Sequence, residues 1–208
     1  MKTSALTLGL LIMLTQLATI KARLALTVTD FDDLLTRAID AVSARFDREC
    51  NRTIARTVGA TQEFPANETE IIARCYPIET VTKFELKTTE AEGWIEQTGV
   101  NCLLRQACII SLNLPLSFVP QAVTPQLARV TYTGGYVLPG TSPSAGQTAL
   151  PSDLESTAVE QVAAWFQQRD KLGLTRYWPS GGTFLVFIQL PLLPQVSAML
   201  RPYRRWSN

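Results

Sequence analysis

The chain has 208 residues and no histidine. That removes Ser-His-Asp and Cys-His catalysis, imidazole-ligated metals and a histidine pH switch together. Four cysteines are present, Cys50, Cys75, Cys102 and Cys108, and none forms a CxxC pair. A zinc site of the usual spacing therefore has no ligands. The cysteines read as reduced, part-buried thiols acting as small apolar residues, with two disulfides as the alternative in a secreted chain. Neither sign of charge dominates: 19 Lys and Arg stand against 18 Asp and Glu, a formal net charge of +1. A free-standing nucleic-acid binder is usually far more basic.

Catalytic motifs are missing as well. There is no GxSxG elbow, and the Pro/Gly loop Leu138 to Thr148 (LPGTSPSAGQT) lacks the Lys-Ser/Thr pair of a phosphate loop. Asp30, Asp32 and Asp33 cluster at a helix start, where capping and the helix dipole account for them. No catalytic residue, cofactor site or metal site is read from the chain, and it is not expected to be an enzyme.

Long apolar runs are also scarce. Leu6 to Leu14 follows Lys2 and looks like a bacterial secretory signal, but it is too short to span a membrane comfortably. No small-x-small cleavage site follows it. Leu17, Ile20, Lys21, Arg23 and Leu24 continue a helical pattern instead. We therefore expect an N-terminal apolar helix over 1–26, covered by the core or by another subunit and not by a membrane. The competing reading is a secreted or periplasmic β-rich binding protein with a cleaved signal peptide and disulfides.

What is present is a change of period along the chain. Phe31, Leu34, Leu35, Ala38, Ile39, Val42 and Phe46 recur at helical spacing after a cap at Thr29 or Asp30. This helix should stop near Cys50-Asn51, where Asn accepts a left-handed conformation. Between Arg52 and Tyr136 short strands alternate with turn signals, and ETVTKFELK (79–87) slips register near Thr82-Lys83, as at a bulge. Leu150 to Asp170 (LPSDLESTAVEQVAAWFQQRD) is the clearest helix. Ser152 or Asp153 is its expected cap, Leu154, Ala158, Val159, Val162, Ala163 and Phe166 its buried face, and Glu155, Glu160, Gln161, Gln167 and Gln168 its polar side. Thr183 to Leu190 (TFLVFIQL) reads as an apolar arm, a short helix covers about 195–200, and the chain ends RPYRRWSN.

The layout predicts an α+β fold. A small helical bundle is built from the N- and C-terminal parts, with an inserted antiparallel β-sheet or barrel and an extended C-terminal arm. The divisions are 1–26, a core of 27–182 (β-rich middle 52–136, helix 151–170) and an arm with a short helix, 183–208. Arg201, Tyr203, Arg204, Arg205 and Trp206 mix planar cations with aromatics, a mixture enriched at protein–protein hot spots and also suited to nucleic-acid contacts. A solvated basic tail is the plain alternative.

Several stretches together resemble a known family. They are DFDDLLTRAIDAVSARFDRECNR, YPIETVTKFEL, ARVTYTGGY, LPSDLESTAVEQVAAWFQQRD and LLPQVSAMLRPYRRW, in that order from about Thr29 to the end. The chain resembles the tailed-phage head–tail connector (adaptor) proteins of the gp6-like family, which includes proteins of prophages and gene transfer agents. LATIKARL (17–24) is similar to the family's opening helix, while the apolar run before it is richer than the family pattern.

The resemblance implies a structural protein of the virion neck, assembled from the host cytoplasm. It implies a ring, typically of twelve subunits, under the portal protein. The ring would continue the DNA channel without sequence-specific binding and would dock a stopper or tail-completion protein. It implies no cofactor, no membrane and no turnover. A ring of heterologous contacts needs two different complementary patches per subunit. The N-terminal helix and the arm Thr183 to Trp206 are the candidates, with Arg169, Asp170, Phe184 and Phe187 at the subunit interface and Arg201, Tyr203, Arg204, Arg205 and Trp206 toward the portal. Deleting Arg201 to Asn208 is expected to leave a folded protein that no longer joins portal-bearing heads.

Overall fold

The computed structural model describes residues 13–113, 126–169 and 192–205. The fold is α+β, with helices from the two ends of the chain packed together and antiparallel sheets inserted between them in sequence. The described residues fall into two compact units, one drawn from 13–45, 151–169 and 192–199, the other from 46–113, 126–150 and 200–205.

The helical unit contains α1 (Leu17–Leu24), most of α2 (Asp32–Cys50), α3 (Ser152–Gln167) and most of α4 (Pro194–Leu200). Its core is built from Ile20, from Leu35, Ile39 and Val42 of α2, from Leu154, Ala158, Val162 and Phe166 of α3, and from Val196. These residues recur at three- and four-residue steps, as one helix face requires. Leu34, expected on that face, is 47% exposed. At roughly 100° per residue it lies about a quarter-turn from the line through Leu35, Ile39 and Val42. Polar contacts fix the helices further. Lys21 pairs with Asp32 at 2.7 Å, Arg23 pairs with Glu160 at 2.9 Å, and the N–H of Leu14 donates to Ser43 Oγ at 3.1 Å.

α3 differs from expectation at its start, its end and one side chain. Pro151 occupies the cap position and no side chain caps the helix; its carbonyl accepts from the N–H groups of Leu154 and Glu155. Asp153 Oδ1 accepts from the adjacent Leu154 N–H at 2.8 Å. The helix closes at Gln167, before the Asp170 end expected for it. Gln161, assigned above to the polar side, is 1% exposed, and its Oε1 accepts the N–H of Leu193 at 2.9 Å. The amide is tolerated inside because it satisfies a backbone donor.

The β unit holds two antiparallel sheets. The first contains β1 (Thr57–Pro65), β7 (Leu127–Gly134), β3 (Ile78–Lys87) and β4 (Ile95–Glu96), in the order β1-β7-β3-β4. The second contains β2 (Glu70–Ile72), β6 (Ile109–Asn113) and β5 (Asn101–Arg105), in the order β2-β6-β5. A short parallel pair joins β8 (Tyr136–Val137) to β9 (Thr148–Ala149). The register shift expected near Thr82-Lys83 is present between Val81 and Lys83. Phe64, Phe84, Ala128, Val130 and Tyr132 from the first sheet and Ile71, Ile110 and Leu112 from the second form one apolar core. Away from it, Glu63, Arg129 and Glu85 lie opposite one another across three strands, and Arg129 Nε bonds Glu85 at 2.9 Å. This charged row keeps one face of the sheet solvated.

Candidate interaction surfaces

The end of α2 and the segment that follows it build one surface of the β unit. α2 ends in a Schellman motif: Asn51 takes φ 50, its N–H donates to Arg48 C=O, and Arg52 N–H donates to Asp47 C=O. Asp47 Oδ1 then accepts the N–H of Ile54 at 2.9 Å, and burial is the main reason that its pKa is raised. Arg52 is 4% exposed. Its guanidinium lies 3.3 Å from the Tyr76 ring centroid and 5.4 Å from that of Tyr136, and it donates to Tyr76 C=O. Asp47, Arg48, Asn51, Arg52, Thr53 and Arg74 line a depression of about 410 Å³ at this place.

Gly134 and Gly135 make the crossing beneath possible. A Cβ on Gly134 would sit 2.6 Å from Cys75 O, and one on Gly135 would sit 2.5 Å from Ala55 O. Gly135 also has φ +100, in the left-handed region that favours glycine. The TGGY stretch is thus where segments 54–56, 75–78 and 134–136 meet. Gly135 N–H donates to Pro77 C=O and Tyr136 N–H to Ile54 C=O.

The C-terminal residues singled out in the sequence take distinct places. A 3-10 turn spans Arg201–Tyr203, and Arg201 is exposed. The Tyr203 carbonyl accepts from the Tyr76 hydroxyl at 3.3 Å. Arg204 lies 3.4 Å from Glu49. Arg205 sends its backbone N–H to Cys50 C=O at 2.8 Å, and its Nε and Nη2 both donate to Ile72 C=O, at 3.2 and 2.8 Å. The Arg205 backbone thus satisfies a carbonyl that the end of α2 leaves without an intrahelical partner. Burial, then the nearby charge of Arg74, lowers the Arg205 pKa. Nothing in the sequence marks Arg205 as more deeply committed to the fold than Arg201. Trp206 lies outside the described residues.

Of the residues expected between subunits, Asp170, Phe184 and Phe187 also lie outside the described residues. Arg169 bonds its own helix end, donating Nη1 to Phe166 C=O at 2.9 Å. Its guanidinium lies 4.2 Å from the Phe166 ring centroid and 5.2 Å from that of Phe31. Those rings pack edge to face with centroids 5.3 Å apart.

All four cysteines are free thiols. Cys50 and Cys75 are buried, and burial pushes the Cys50 pKa up to about 11 and the Cys75 pKa in the same direction. Among the described residues, no group of three or more His, Cys, Asp or Glu could hold a metal ion, and no helix is long and apolar enough to cross a membrane. Apolar side chains stand exposed on both units, among them Val28 and Leu34 on one and Val58, Leu103 and Leu104 on the other.

No family model and no curated protein matches the chain. Solved structures do. A chain from the neck of an empty gene transfer agent particle, computed with C6 symmetry, matches with a TM-score of 0.55 at 14% identity, over 92% of this chain and 90% of that one. A chain from the virion of a native gene transfer agent particle matches with a TM-score of 0.54 at 16% identity, over 92% and 90%. At such identity the likeness is one of fold, and it spans nearly the whole of both chains: this protein has the fold of a component of gene transfer agent particles.

Proposed function

We propose that the chain is a head-to-tail adaptor in the neck of a tailed phage or gene transfer agent. It forms a ring under the portal protein, of twelve subunits by its family resemblance. The ring continues the DNA channel without reading its sequence, and it docks a stopper or tail-completion protein. The observation that carries this reading is the fold shared over 92% of the chain with a chain of a gene transfer agent neck. The order of sequence stretches resembling adaptors supports it independently. So do the exposed apolar residues Leu34, Val58, Leu103 and Leu104, which subunit contacts would cover.

Within this reading Arg201, Tyr203, Arg204, Arg205 and Trp206 form the portal-facing end, with a division of labour. Arg205 and Arg204 hold the segment to Ile72 and Glu49, and exposed Arg201 is presented to acidic groups of the portal. Arg169, Asp170, Phe184 and Phe187 belong to the contacts between ring neighbours.

Deleting Arg201 to Asn208 would remove the Arg205 bonds as well as the docking residues, so a point substitution is the cleaner test. Arg201→Glu should leave the thermal unfolding of the chain unchanged and reduce its addition to portal-bearing heads lacking tails. Undiminished addition by Arg201→Glu would remove Arg201 from the docking surface.

A further inference from the structure

We propose that the basic depression at the C-terminal end of α2 is a docking site for the carboxylates of Asp30 and Asp33 from a second copy of this chain. The inference rests on the ring reading and names one of its contacts.

The depression carries three guanidiniums, Arg48, Arg52 and Arg74, against one carboxylate, Asp47. Asp47 is already engaged by the Ile54 N–H. Arg52 forms a fixed floor: it is 4% exposed, clamped by two tyrosine rings, and its Nε is buried without a hydrogen-bond partner among the described residues. It thus keeps one unmet donor in a setting where an approaching anion is screened weakly. Arg74 is exposed, and its backbone is held by Gln62 and Tyr132. An arginine on a rigid segment loses little freedom when it meets a carboxylate, and its planar fork suits bidentate pairing.

The matching surface is on the helical unit. Asp30, Asp32 and Asp33 precede or open α2, and among the described residues only Asp32 is paired, with Lys21 at 2.7 Å. Asp30 and Asp33 are exposed, beside Val28 and Leu34, each 47% exposed. Helix-dipole stabilisation explains why acids sit there, and it leaves their outward charge available. One chain thus bears an acidic corner with apolar neighbours and a basic depression elsewhere. Such a pair of different complementary patches is what a heterologous, ring-closing contact needs. The near-balanced net charge favours this occupant over DNA phosphate, whose binding calls for a broad basic surface.

The test is sedimentation of the purified full-length chain over a range of concentrations. Self-association should weaken as salt rises from about 0.1 M to about 1 M, where the Debye length falls from about 10 to about 3 Å. Arg74→Glu and Asp33→Arg should each weaken it roughly tenfold or more, because each places like charges together. Combining both substitutions should restore most of the association. Wild-type assembly that neither single substitution changes would overturn this contact and leave the ring reading intact. A wild-type chain that never self-associates would overturn this contact and leave the ring reading to the test of addition to portal-bearing heads. A short DNA duplex that binds wild type and not Arg74→Glu, with self-association unchanged, would instead make the depression a phosphate site.

Discussion

The hydroxyl of Tyr132 lies 3.4 Å from Oε1 of Gln62, and both oxygens accept the N–H of Arg74, at 3.0 Å each. Tyr132 Oη also accepts from Cys75 N–H at 3.1 Å, and Gln62 Nε2 donates to Ile72 C=O at 3.0 Å. Two core side chains therefore supply the backbone partners that segment 72–75 does not find in a ladder. Tyr132→Phe should leave the packing, free the Cys75 N–H and leave the Arg74 N–H with Gln62 Oε1 alone. The loss should be about 1–3 kcal/mol, the usual cost of an unsatisfied buried polar group. Hydrogen exchange checks it: the amides of Arg74 and Cys75 should exchange faster in the variant than in wild type.

Gly135 has no room for a side chain and sits at φ +100. Gly135→Ala adds a backbone clash to a left-handed penalty of about 1–2 kcal/mol, so a total loss of about 2–4 kcal/mol is expected. Gly146, also at positive φ but with open space around its Cβ direction, should lose only the conformational part. Comparing the melting temperatures of Gly135→Ala and Gly146→Ala separates the two effects.

Arg205 should act on stability before it acts on any partner. Arg205→Ala removes both side-chain bonds to Ile72 C=O and should cost about 1–3 kcal/mol in denaturant unfolding. Arg205→Lys should recover only part of that loss, because an ammonium lacks the planar fork. Arg201→Ala, at an exposed position, should fall within about 0.5 kcal/mol of wild type.

The buried thiols give a pH dependence. Cys50 is raised from 9.0 to about 11 in the fold, chiefly by burial, so the folded chain keeps a proton that the unfolded chain loses above 9.0. Its contribution is fully present below pH 9 and is lost as pH rises toward 11. Stability should fall across that window, and less so in Cys50→Ala if its cavity loss is taken as the new baseline. Alkylation at pH 8 followed by peptide mass mapping should label the partly exposed Cys102 and Cys108 ahead of buried Cys50 and Cys75.

Periodic features were readable from the residues alone. The Leu35–Ile39–Val42–Phe46 stripe, the Asn51 stop and the slip beside Thr82 all follow from local rules of spacing and backbone conformation. Long-range satisfaction was not. Gln161 looks polar and solvated until Leu193 N–H is placed against its Oε1, and Arg205 looks like tail charge until Ile72 C=O is in reach. Both depend on residues more than thirty positions away. The cap of α3 failed for a local reason: Pro151 already supplies the turn geometry, so neither Ser152 nor Asp153 takes the cap position. The depression beside Arg52 was hidden too, since Arg74 reaches it from another strand region.

In the proposed function this chain is a subunit of a virion neck. Cryo-electron microscopy of particles purified from cells that make the chain tests it most directly. The predicted result is a closed ring of about twelve copies with this fold, seated between portal and tail. Particles with a complete neck and no copy of the chain, or a mature chain exported without its first 20–25 residues or so, would contradict it.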